Sequence, residues 1–248
     1  MRDWRTDQAG NSPYTIDAGH FAVSIDAVDY ACFRQGFSGG EEYRNEGWLF
    51  GEMQLKAGLL NNLDAEATLM PYETDTSTYT GPFSSRETAS GFGDLVSGLK
   101  WNLWGNDGGR TAMAVSGMVE FPTGTGILSS HQVEGGPGAE FAAQLPDAFE
   151  LRIVSSCNFC ENAVLKQREV SFGNLISLTH CIVGPLEGYC PFDTHVQTES
   201  GSEWAGVVRI GANYRLTKGT EFFIGNDFGV TGTYYSDYHP FIGAAVRF

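Results

Sequence analysis

No stretch of the 248 residues approaches the roughly 18 uninterrupted apolar residues of a membrane-spanning helix. That excludes a helical membrane protein but leaves a barrel open, since only alternate residues of each strand need face lipid. A mean hydropathy of −0.19 is compatible with such a barrel. Cations are scarce, 15 Lys and Arg against 30 Asp and Glu, for a formal net charge of −15. A surface of that sign repels phosphate, so nucleic acid is not an expected partner. The opening M-R-D-W-R-T-D-Q-A-G has no basic-then-apolar leader. The expectation is that Met1 stands where a signal peptide has been removed. Good helix formers are sparse as well.

What is present instead is glycine, 32 residues, and aromatic side chains, 13% of the chain. That mixture suits many strands joined by tight turns. The clearest strand is the last, residues 238–248, reading Y-H-P-F-I-G-A-A-V-R-F. Ile242, Ala244, Val246 and Phe248 alternate with smaller or polar residues, a period of two with one greasy face. Similar alternation recurs along the chain. Phe21, Val23, Ile25 and Ala27 form one such face, and Leu95, Ser97, Leu99, Trp101 and Leu103 another. Gly105-Asn106-Asp107-Gly108-Gly109 is a strong hairpin signal.

About twelve strands result, and their connections alternate short and long. Expected long loops include residues 74–92 and 122–137, and a loop holding Cys157 and Cys160. Such alternation predicts an all-β fold: a single antiparallel up-and-down transmembrane barrel with short periplasmic turns and long external loops. Residues 1–18 read as a polar N-terminal periplasmic arm and residues 19–248 as the barrel. Asn61, Asn106, Asp147, Pro185 and Lys218 are expected at one rim with both termini. Gly39, Thr78, Leu128, Phe159, Ser200 and Tyr235 are expected at the other.

Two segments also resemble a known family. They are T-D-Q-A-G-N-S-P-Y-T-I-D-A-G-H-F, from Thr6, and G-F-G-D-L-V-S-G-L-K-W-N-L-W-G-N-D-G-G, from Gly91, followed by Phe121-Pro122-Thr123-Gly124. Both are similar to outer-membrane β-barrel proteins of the meta-pathway phenol-degradation transporter family. The resemblance implies a signal-peptide-bearing barrel in the bacterial outer membrane with a transport role. It carries no catalytic residues. The five cysteines depart from that pattern.

The polar alternate positions make up the candidate functional surface: Glu52, Lys56, Glu66, Asp94, Lys100, Glu120, Glu150, Arg152, Arg209, Arg215, Glu221 and Arg247. They are expected to line the lumen, either as a wet pore or as paired charges that plug it. Cys181 and Cys190 flank the expected turn Gly184-Pro185-Leu186-Glu187 symmetrically, and Cys157 and Cys160 bracket a four-residue turn. Two local disulfides are therefore expected. A zinc site from these four is the lesser alternative. Gly36-Phe37-Ser38-Gly39-Gly40 matches G-x-S-x-G, but no helix follows it, so a nucleophile elbow is not expected.

The function expected is a passive channel for small, including aromatic, solutes, without enzymatic activity or cofactor. Its expected partners are outer-membrane lipid, those solutes, and the barrel-assembly machinery, through the strand ending at Phe248. The alternatives are a structural or self-assembling barrel and, less favoured, a membrane-embedded lipid hydrolase.

Overall fold

The computed structural model describes residues 12–37, 39–161, 168–198, 204–231 and 237–248. Its strands, in chain order, are β1 (Phe21–Gly36), β2 (Glu42–Leu60), β3 (Leu63–Leu69), β4 (Tyr72–Thr80), β5 (Ser85–Gly91), β6 (Leu95–Trp104) and β7 (Thr111–Phe121). They continue with β8 (Glu134–Gln144), β9 (Phe149–Glu161), β10 (Arg168–Val183), β11 (Leu186–Gln197), β12 (Ala205–Thr217), β13 (Thr220–Thr231) and β14 (Tyr238–Arg247). All belong to one antiparallel sheet. β1 pairs with both β2 and β14, so the sheet closes on itself.

The ring has twelve staves. β2 is 19 residues long. Its lower half pairs with β3 and its upper half with β4, so β3 and β4 are one strand broken at Met70-Pro71. β5 and β6 are likewise one strand, broken at residues 92–94. Gly51, at φ 70, makes a left-handed step in β2 beside Pro71. A residue with a β-carbon would be strained there. The expected loop at residues 74–92 is thus the β4–β5 hairpin. It carries Thr and Ser on both faces and so lacks the apolar alternation that marks a strand in lipid.

The turns alternate as expected. Asn61, Asn106, Asp147, Pro185 and Lys218 lie at one end, where Phe21 and Phe248 also meet. Gly39 and Leu128 lie at the other, and Thr78 and Phe159 near the far ends of β4 and β9. Ser38, Ser200 and Tyr235 lie outside the described residues. The 122–137 loop is shorter than expected, because β8 begins at Glu134 and includes Pro137. Proline offers no N–H to a ladder. The β8–β9 register accordingly skips from Gly135 to Gly138.

The cysteines depart from the expected pairing. No disulfide joins any of them. Cys157 and Cys160 are both within β9, three residues apart, so their side chains point to opposite faces. The turn is the two-residue Gly184-Pro185, and a bulge between Cys181 and Val183 shifts the β10–β11 hairpin by one residue more, leaving Cys181 opposite Glu187 and Cys190 opposite Leu178. Neither pair can meet.

Burial is inverted relative to a water-soluble protein. Leu99 is 51% exposed, Ile210 58% and Ile224 56%, while Lys100 is 0%, Glu150 1% and Arg152 3%. Large aliphatic residues seek hydrocarbon and buried charges need partners. The two observations are satisfied together when lipid lies outside and the charges lie within.

Candidate functional site: the barrel interior

Alternation along every strand sends one set of side chains inward, and these pair with one another along the inner wall. Lys100 on β6 sits 3.2 Å from Glu66 Oε1 on β3 and 3.0 Å from Glu140 Oε2 on β8. Lys56 Nζ lies 3.3 Å from the same Glu66 oxygen. Two ammonium groups and two carboxylates thus form one chain over four strands.

A second group lies on the other wall. Arg209 donates from Nε (2.5 Å) and from a terminal nitrogen (2.7 Å) to Asp227. His239 bridges Asp29 through Nε2 and lies 3.6 Å from Asp227 through Nδ1. Glu52 faces Asp26 across β1–β2 and accepts from Gln54 at 3.4 Å. The Arg209 guanidinium lies 4.8 Å above the Phe241 ring. That ring presses on Gly225, where a β-carbon would overlap it. Phe223 and Phe241 are buried in this wall, so it is bulky as well as charged.

Nearer the short-turn rim, Arg152 Nε donates to Glu150 at 2.5 Å, and Gln144 donates to the same carboxylate. Arg215 reaches Glu187 at 3.4 Å and is in register with Glu221. Arg247 holds Asp17 at 3.1 Å. Glu120 is in register with Glu134 at the upper end of β7. Asp94 serves a different purpose from that expected. It accepts the N–H groups of Gly124 (2.6 Å) and Ser130 (2.7 Å) and the hydroxyls of Ser129 and Ser130, latching the β7–β8 loop. Burial alone would push its carboxyl up, but these donors more than offset it and leave it below the usual carboxylate range.

The chain before β1 enters the short-turn end of the barrel. Lys100 Nζ donates to the Ser12 carbonyl (3.1 Å) and Asn102 Nδ2 to that of Pro13 (2.7 Å). The Thr15 N–H donates to Asn106 Oδ1 at 2.9 Å, and the Ile16 N–H to both oxygens of Asp64, at 3.1 and 3.0 Å. Ala18 donates to Asn61 Oδ1 at 3.1 Å. Ser12, Thr15 and Ile16 are buried. Asp64, Asn102, Asn106 and Glu140 were absent from the sequence-derived set. Asp64 had a detectable signal, since it stands two residues before Glu66 on the same face of β3. Asn102 had the same one, two residues after Lys100 on the polar face of β6, whereas Asn106 lies in a turn and had none.

Asp64→Ala removes the carboxylate that accepts the Ile16 N–H and should loosen this segment by about 1–3 kcal/mol, the cost of stranding a buried donor. Limited proteolysis of the folded barrel should then cut within residues 12–18 faster than in wild type. Equal cutting rates would mean that the carboxylate does not hold the segment.

Above the segment lies a cavity of ≈340 Å³. Small inward residues on β7–β10 leave the space: Ser116, Gly136, Gly138, Ser156 and Gly173. A β-carbon on Gly138 would come within 2.7 Å of Ser116 Oγ. Lys56, Glu66 and Glu140 line one part of it, Met118, Val154 and Leu175 another, and Asp193 and His195 a third. Charged, apolar and hydrogen-bonding surface therefore meet in one chamber of ligand size.

The solved structures show the same fold. An outer-membrane channel of the COG4313 group from Pseudomonas putida F1 superposes with a TM-score of 0.67 at 11% identity, covering 98% of this chain and 100% of that one. The translocator domain of the autotransporter NalP from Neisseria meningitidis gives 0.54 at 11% identity over 94% and 90%. The NanC porin gives 0.53 at 12% identity over 89% and 98%. No curated protein sequence matches the chain. A family model does, over residues 5–176, and by that match the chain belongs to the family described as "Putative MetA-pathway of phenol degradation".

Proposed function

We propose that this protein is a passive channel of the bacterial outer membrane for small solutes, aromatic ones included. The observation that carries the reading is the ≈340 Å³ chamber inside a closed barrel, lined by paired charges on one side and by Met118, Val154 and Leu175 on another. A flat, weakly polar molecule can stack on the apolar part while its hydroxyl meets Glu140, Ser156 or His195. The family's link to phenol degradation and the channel and porin neighbours point the same way. The twelve residues picked from the sequence supply the charge along the passage, except Asp94, whose work is at the loop. Transport, and not catalysis, is the role.

Residues 1–18 form the periplasmic arm in this reading, and its described part narrows the passage. Residues 19–248 form the barrel. Strand β14, which completes the ring against β1 and leads to an exposed Phe248, is the segment that the assembly machinery takes up.

Ion selectivity tests the proposal. Changing Arg152, Arg209 and Arg215 together to Ala strips the cationic partners from Glu150, Asp227 and Glu187. Fixed charge along a narrow lumen sets the local ion concentration. The reversal potential across a salt gradient should move toward cation preference. An unchanged reversal potential from conducting channels would place the ion path away from these residues.

A further inference from the structure

On the outer face, a polar row running over three adjacent strands is a feature that lipid does not explain. On β9, β10 and β11, Ser155, Asn174 and Thr194 are adjacent in register and form a polar row across three strands. The row below reads Ile153, Ile176 and Phe192, and the row above Cys157, Phe172 and Val196. Phe172 is 42% exposed and Ile176 50%, so the polar row lies inside the apolar belt and not at its edge. Ser155 Oγ donates to Asn174 Oδ1 at 2.8 Å, and Thr194 Oγ1 donates to the Asn174 backbone carbonyl at 3.3 Å. The two N–H donors of the Asn174 side chain have no acceptor among the described residues. Hydrocarbon offers none either, and an unmet polar group there is costly.

We propose that this face of β9–β11 is a two-fold interface with a second copy of the same chain, centred on Asn174. Copies inserted in one membrane share an orientation, so a two-fold axis relating them runs along the membrane normal and brings equal depths together. Asn174 on β10 then meets Asn174 of its partner. An amide is both donor and acceptor, so each Nδ2 can reach the other's Oδ1. With the axis on β10, each Ser155 comes opposite the partner's Thr194, a hydroxyl against a hydroxyl. Ile176 and Phe172 pack around the centre and exclude lipid. The self-complementary chemistry singles out a second copy over an unrelated protein. The inference rests on the transmembrane fold and not on which solute passes.

The test uses the full chain reconstituted in lipid bilayers, with the five native cysteines replaced by serine. In that background N174C should oxidise to a disulfide-linked dimer on a denaturing gel. N226C, at another outward asparagine on β13, should not. Barrels that are folded by heat-modifiable migration yet no better crosslinked at N174C than at N226C overturn the proposal. Asn174→Leu in the native chain gives a second readout, since leucine suits lipid and the barrel should fold. Its dimer fraction in mild detergent, read by light scattering, should fall at least tenfold. An unchanged fraction also overturns it.

Discussion

Replacing Lys100 by Met should destabilise the barrel by about 3–5 kcal/mol, the largest effect expected of any single inward residue. The ammonium is fully buried and lies within 3.2 Å of Glu66 and 3.0 Å of Glu140. Methionine nearly conserves the volume, so the loss is electrostatic. Glu66 keeps Lys56, at 3.3 Å, but Glu140 loses the partner that offset its desolvation. Urea unfolding from lipid vesicles measures the change. The double variant Lys100→Met, Glu140→Gln should recover most of the stability, because Glu66 keeps Lys56 and no uncompensated charge remains. A single variant within about 1 kcal/mol of wild type would show an interior wet enough to solvate a lone carboxylate. The same substitution removes the donor to the Ser12 carbonyl, so residues 12–18 should become more accessible to protease.

Arginine placed on the outer belt should cost about 2–4 kcal/mol near the midplane. Leu99 and Ile224, 51% and 56% exposed to the surroundings, are the positions to use, with Val115 as a third. Alternation alone suggests Gly98 and Ala114 as tolerant inward controls. The structure removes both. A β-carbon at Gly98 would overlap the Met118 sulfur, and Ala114 has no exposed surface. Ser116, which lines the chamber, is the better control, since an arginine there has room and carboxylates nearby. Refolding yields and unfolding midpoints in lipid should separate the two faces. Equal damage from Leu99→Arg and Ser116→Arg would argue against lipid outside and water within.

Much of the architecture was legible because the period of two survives wherever lipid is on one side. The run Ile242, Ala244, Val246 and Phe248 reveals its outward face without help from the rest of the chain. The β4–β5 hairpin was not legible. Thr74, Thr76, Ser77 and Thr78 are polar on both faces, as suits strands wetted on both sides, and polarity without alternation reads as loop. Pro137 misled for a related reason. Proline normally ends a strand, and here the β8–β9 ladder is interrupted around it instead.

The cysteine pairing failed on register. Symmetry about a four-residue turn at residues 184–187 predicts that Cys181 faces Cys190; the turn is the two-residue Gly184-Pro185, and with the adjoining bulge it leaves Cys181 opposite Glu187. The inward charges were half visible. Glu66, Lys100 and Arg152 follow from alternation. The contacts that tie residues 12–18 to the barrel join positions 43 or more residues apart, such as Ala18 with Asn61, Ile16 with Asp64 and Thr15 with Asn106. No local pattern encodes them.

In the proposed role, solute and ions cross through the chamber inside the barrel. Single-channel recording with a cysteine at Ser116, in a chain whose native cysteines are replaced, probes that route. The purified protein should give discrete conductance steps in a planar bilayer. A bulky cationic thiol reagent should reduce those steps in S116C, whose thiol faces the chamber, and leave V115C unaffected, because residue 115 faces lipid. A silent bilayer from a folded barrel, or equal responses from the two variants, would contradict the account.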